Sequence, residues 1–218
     1  MSITRKLWVW LGAIFLLSFA TLGLIGREIY VKAPPVPARV ASSAGDTIYT
    51  QAEIQTGREV WQTLGGMQLG SVWGHGGYVA PDWSADWLHR EALALLDIWA
   101  RKEGAVSFDA LGAERQAALK ARLQQELRTN SYDDKTGVVT VSADRARAIA
   151  QVADHYAQLF GGDPALRTLR SQYAIPEKPI TDSASLKQLG GFFFWTAWSS
   201  VTNRPGEAIT YTNNWPHE

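Results

Sequence analysis

Residues Leu7 to Ile25 (LWVWLGAIFLLSFATLGLI) run for 19 positions without a charged side chain. As a helix rising 1.5 Å per residue, such a run nearly spans the roughly 30 Å hydrocarbon layer of a bilayer. It reads as a transmembrane helix. Trp8 and Trp10 lie near one end and Tyr30 just beyond the other, where amphipathic rings rest at headgroup level. A cleavable signal peptide is the competing reading, but its apolar region is about 7 to 15 residues and closes on a small-residue cleavage site. Here Gly26-Arg27-Glu28-Ile29-Tyr30 follows instead. Charge alone does not orient the helix, because Arg5 and Lys6 on one side face Arg27, Lys32 and Arg39 on the other.

Composition narrows the chemistry. Among 218 residues, 21 Lys and Arg balance 21 Asp and Glu, which leaves no basic footprint for nucleic acid. The chain has no cysteine, so disulfides, thiolate metal sites and haem attached through C-x-x-C-H are all excluded. Ten Trp, with 7 Tyr and 7 Phe, suit a protein that buries large rings or works beside a membrane.

Three segments are expected: a tail and membrane helix over 1–32, a spacer over 33–48 rich in Pro, Ala and Ser, and one mainly α-helical domain over 49–218. In the last, Ala146, Ile149, Ala153, Tyr156 and Phe160 recur at helical spacing between a Ser142 cap and the Gly161-Gly162 stop. Further helices are predicted over 51–64, 84–102, 108–127 and 181–201. Asp133 to Gly137 reads as a turn into a short strand, Val138 to Val141, in one small β-hairpin.

The four histidines (75, 89, 155 and 217) share no metal-binding spacing, and no nucleophile elbow or phosphate loop is present. His155 falls on the polar side of its helix, and His89-Arg90-Glu91 reads as an exposed face. The dense segment is Gly65 to Trp87, where glycines 65, 66, 70, 74, 76 and 77 interleave with Trp73, Tyr78, Trp83 and Trp87. Such a loop can bring its backbone close to another surface and hold it there with rings, or simply fill its own domain's core. The run from Gly190 to Trp198 is too short to span a bilayer and reads as a buried or interfacial helix. Trp215-Pro216-His217-Glu218 closes without a cap or polar tail, and so reads as a cut end.

The words GSVWGHGGYVAPDW (Gly70 to Trp83) and DWLHREA (Asp86 to Ala92) resemble the N-terminal region of quinol-dependent nitric oxide reductases. So do Leu127-Arg128-Thr129-Asn130, FFFWTAW (Phe192 to Trp198), TNRPG (Thr202 to Gly206) and NWPHE (Asn214 to Glu218). The resemblance implies a haemless cytochrome c-like head on an anchor helix, set in a bacterial inner membrane with the globular part outside. Its partner is a catalytic membrane domain or separate catalytic chain carrying two b-type haems and a non-haem iron, which reduces two NO to N2O and water. A homodimer is left open, and membrane lipid surrounds the anchor. In the cytochrome-bearing relatives, C-x-x-C-H precedes a Tyr-x-Ala-Pro-acidic segment; in that register Gly66-Met67-Gln68-Leu69-Gly70 occupies the attachment slot.

The same register implies a shared calcium drawing on Gly76 and Tyr78, although two oxygens fall short of the roughly 6 to 8 that calcium takes. Trp73, His75, Trp83, Trp87, Trp195, Trp198 and Trp215 are the expected interface to the membrane domain. A separate docking or assembly subunit, a carrier of non-covalent haem, and a body of related NO chemistry such as dismutation are the alternatives.

Overall fold

A computed structural model describes residues 3–77, 79–177 and 180–213. The chain divides into two compact units, Met1–Pro35 and Val36–Glu218. The first is helix α1, Ile3–Val31, 29 residues long. It outruns the uncharged stretch, continuing through Gly26 to Val31, where Glu28 pairs with Lys32 at 3.4 Å one turn on. Among the described residues it is the one helix long and apolar enough to cross a membrane, the length and composition of a membrane anchor.

The second unit is mainly α-helical around a small mixed sheet. Its strands are β1 (Arg39–Ser42), β2 (Thr47–Thr50), β3 (Tyr132–Asp133) and β4 (Val138–Val141), in the order β2-β1-β4-β3. The expected β3–β4 hairpin is present, with Tyr132 opposite Val139. The spacer reading of 33–48 is corrected: β1 runs parallel to β4, pairing Val40 with Val139, and antiparallel to β2. Val40 and Val139 are both fully buried. The folded unit therefore starts at Val36, not near Tyr49. A short Val-Ala-Ser strand has a linker's composition, and only a ladder to a strand a hundred residues away distinguishes the two.

Five longer helices carry the core: α2 (Gln51–Thr63), α3 (Trp83–Lys102), α4 (Ala113–Arg128), α5 (Ala143–Gly161) and α7 (Ser183–Val201); a short α6 spans Arg167–Gln172. Thr50 and Glu53 close a capping box on α2, so both orphan donors at its start are satisfied. Helix α5 begins under Ser142, and Gly162, at φ 85°, ends it in the left-handed conformation that glycine adopts without strain. Helix α4 starts later than the periodicity predicts. Phe108–Ala110 is instead a 3-10 turn, held against α3 by a bond from the Phe108 amide to Asp97 Oδ1 at 2.8 Å. Helix α7 is buried at every position from Leu189 to Val201, as a helix apolar on all sides must be. It packs on α2, α3 and α5 and forms the domain's central rod.

His155, expected on a solvated face, is half-buried, and its Nε2 is enclosed without a hydrogen-bond partner among the described residues. Burial lowers its pKa, the Arg90 charge lowers it further, and Asp86 opposes. An unfolded histidine titrates near about 6.5, so below that pH the unfolded chain binds the extra proton and the folded one resists it. The contribution of His155 is therefore present above about pH 6.5 and lost as pH falls through the lowered folded value. Denaturant midpoints should fall between pH 7.5 and 5.5 more steeply for the wild-type chain than for His155→Leu; identical slopes would refute the assignment.

Candidate functional site

The glycine-rich segment folds as a closed loop whose ends are tied together. The Trp83 amide donates to Ser71 O at 2.8 Å, and the Ser71 amide to Pro81 O at 3.3 Å. Asp82 is the clasp. Its Oδ1 accepts from the Ala85 amide as the cap of α3, while its Oδ2 accepts from Ser71 Oγ and from the Gly74 amide, each at 2.7 Å. One carboxylate thus starts a helix and sets the loop before it. Gly70, at φ 104°, is required on two counts: the backbone is left-handed, and an added Cβ would lie 2.6 Å from both Pro81 O and Trp83 Nε1.

Trp73 anchors the loop to α7. Its Nε1 donates to Ser199 Oγ at 2.9 Å and to Thr196 O at 3.1 Å, and its ring meets Trp195 edge-on at 5.3 Å. Trp73 holds φ 60°, a strained angle for a bulky residue, maintained by those bonds and by its own amide bond to Ser84 Oγ. Beyond it His75, Gly76 and Gly77 are exposed, with His75 Nδ1 2.9 Å from Val72 O. Met67 and Val79 add exposed apolar side chains to the same segment. Sequence reasoning misses both, because lone apolar residues among glycines carry no periodicity.

The expected interface residues therefore separate. Trp73 and Trp195 meet in one contact, and His75 lies on the loop exterior. Trp83, Trp87 and Trp198 do not face outward: all are at most 1% exposed and form the domain's own core, which corrects the expectation for them. Tyr78 and Trp215 lie outside the described residues.

The turn Gly66–Leu69, which the resemblance puts in a haem-attachment slot, sits over an indole. Leu69 O accepts from Trp83 Nε1 at 2.9 Å. The Trp83 ring stacks on Phe193 at 5.4 Å and meets Phe160, Tyr156 and Tyr173 edge-on at 5.5 to 6.0 Å. With no cysteine in the chain, His75 and His89 at the surface, and side chains filling the space beneath the slot, these residues do not fit a c-type haem. The described residues contain no group of three His, Cys, Asp or Glu able to hold a metal, and the nearby Asp82 carboxylate is already engaged.

Between α3 and α5 lies a buried polar pair. Glu91, expected on an exposed face, is 1% exposed; its Oε1 accepts from Arg145 Nε at 2.7 Å and its Oε2 from Trp87 Nε1 at 2.9 Å. The sequence does carry a signal for this, since Ser84, Trp87, Leu88, Glu91 and Leu95 share one helical stripe. One turn earlier, Asp86 binds Arg90 Nε at 2.8 Å and accepts from Tyr156 Oη at 2.6 Å.

Residues 37–217 match the family of the NorB cytochrome c-like domain of nitric oxide reductase. No curated protein matches the chain.

Proposed function

Because the chain belongs to the NorB cytochrome c-like domain family of nitric oxide reductases, we propose that it is the membrane anchor and non-catalytic head of a nitric oxide reductase fed by quinol. The observation that carries this reading is the indole beneath the former attachment turn. A head that receives electrons from a soluble cytochrome needs a haem, and here the turn is bonded to Trp83 in a chain without cysteine. Electrons for 2 NO + 2 H⁺ + 2 e⁻ → N2O + H2O then enter the membrane body directly, from a carrier dissolved in the bilayer that α1 crosses.

On this reading the head lies on the outer, periplasmic side and covers the catalytic body. The loop exterior around Met67, His75, Gly76 and Val79 is the surface offered to it, with Trp73 and Trp195 as the stiff layer behind. Gly76 belongs to the same edge, and any calcium drawing on Gly76 and Tyr78 takes most of its ligands from the body.

The test uses the complete enzyme purified in detergent. A reduced short-chain quinol should support NO consumption, reduced soluble cytochrome c should not, and no haem should stay with this polypeptide after denaturing electrophoresis. Haem retained on the polypeptide, or cytochrome c oxidised as fast as quinol, would overturn the proposal.

A further inference from the structure

Two stacked aromatic rings in the core each bond to a carboxylate. Trp87 and Tyr156 stack nearly parallel, their centroids 5.3 Å apart and their planes at 11°, and both are at most 1% exposed. The polar tip of each reaches a carboxylate: Trp87 Nε1 donates to Glu91 Oε2 at 2.9 Å, and Tyr156 Oη to Asp86 Oδ2 at 2.6 Å. Each carboxylate is in turn held by an arginine, Glu91 by Arg145 and Asp86 by Arg90. Two neighbouring indoles are satisfied without a charge. Trp83 and Trp73 donate to the backbone carbonyls of Leu69 and Thr196. Packing alone does not call for a buried Glu91 carboxylate or a largely covered Asp86, because withdrawing them from water is costly even when they are paired.

The carboxylates have a chemical consequence. Removing an electron from a phenol or an indole turns its O–H or N–H into a strong acid, so a base within hydrogen-bond reach lets the proton leave with the electron and eases the oxidation. Trp99 provides an internal contrast: it too donates to a carboxylate, Asp144, but the Arg122 guanidinium lies 4.0 Å over its ring and opposes loss of an electron.

We propose that Trp87 and Tyr156 are a redox-active pair, which accepts an oxidising equivalent reaching the head and holds it as a neutral tyrosyl radical on Tyr156. The route in is aromatic. Half-buried Tyr173 lies 6.0 Å from Trp83, and Trp83 lies 6.0 Å from Tyr156. One electron passes from Tyr156 to the oxidant, the phenolic O–H breaks, and its proton bonds to Asp86 Oδ2. The oxidant class is the small one-electron acceptors formed when nitric oxide meets oxygen; nitrogen dioxide takes the electron and leaves as nitrite. The pair then acts as a sink that keeps such damage inside the head. The geometry stands independently of the quinol reading, so either can fail without the other.

The test oxidises the full chain in detergent with a photogenerated ruthenium(III) polypyridyl complex and follows radicals by electron paramagnetic resonance. A long-lived tyrosyl signal is expected. Tyr156→Phe should remove most of it, and Asp86→Asn, which keeps the ring but not the base, should shorten its lifetime about tenfold. Site-specific 3-fluorotyrosine at position 156 avoids any question of folding: a fluorine splitting places the radical there, and its absence overturns the proposal. An unchanged yield in Tyr156→Phe, or an unchanged lifetime in Asp86→Asn, overturns it equally.

Discussion

Arg145→Met should lower the unfolding free energy of the head by about 3–5 kcal/mol, the cost of leaving one member of a buried ion pair without its partner. The Arg145 and Glu91 side chains are 4% and 1% exposed and meet at 2.7 Å. Without Arg145, the Glu91 carboxylate keeps only the Trp87 indole as a hydrogen-bond donor. Against the roughly 5–15 kcal/mol that holds a typical domain together, that loss brings the head close to unfolding. The pair itself is not an efficient stabiliser, because Arg145 Nη2 is buried with no hydrogen-bond partner among the described residues. Adding Glu91→Gln to Arg145→Met removes the stranded charge while leaving an acceptor for Trp87, and should recover most of the stability. Denaturant unfolding of the two single variants and the double variant, followed by tryptophan fluorescence, measures the coupling. A single Arg145→Met loss below about 1 kcal/mol would mean that water reaches Glu91 and that the pair is not buried in solution.

The legible parts of this fold are those whose signals are local. Helix α5 shows its cap, stripe and stop within 20 residues, and the membrane helix shows its length. Strand β1 is hidden because its partners are β2 across a short turn and β4 far along the chain, while its own four residues are mostly small and unremarkable. The aromatic residues mislead for a related reason. Exposure is a property of the folded neighbourhood, and glycine-rich sequence around Trp83 and Trp87 suggests an outward loop where the start of α3 turns both rings inward. Asp82 is legible as a helix cap, but not as the clasp of the loop: its second oxygen meets Gly74, eight residues back, and Ser71, eleven back. Trp73 is legible as a contact residue, yet the surface it contacts is α7 of the same domain, more than 120 residues later. What remains outward around it includes Gly76, which lacks the bulk that draws attention in a sequence.

The same dependence on distant neighbours gives a glycine the second large effect. Gly57, on α2, faces the backbone of α7. A Cβ there would lie 1.9 Å from Gln188 O, 2.5 Å from Gln188 C and 2.9 Å from Phe192 Cβ. Alanine is favoured over glycine within a helix by about 1 kcal/mol, so an isolated helix would gain from Gly57→Ala. Here the first obstacle is a carbonyl within α7, which cannot turn aside as a side chain can. The helices must separate, opening the Trp61–Phe192 ring contact at 5.4 Å and the seat of Tyr49 on Gly191. Overpacking typically costs about 1–3 kcal/mol, and a backbone clash belongs at the upper end or beyond, well above the propensity gain. Gly161→Ala is the matched control. It is also helical, its Cβ would meet Leu186 Cδ1 at 3.5 Å and Ile180 O at 4.0 Å, both ordinary contacts, and it should be neutral or stabilise by up to about 1 kcal/mol. The displacement should also be felt at the candidate site. Thr196 and Ser199, which hold Trp73, lie on α7 only about 12 to 17 Å along the rod from Gln188. Gly57→Ala should therefore speed proteolysis between Gly65 and Val79 as well as lower the denaturant midpoint. Gly57→Ala and Gly161→Ala shifting stability in the same direction by similar amounts would show that α2 and α7 do not approach this closely.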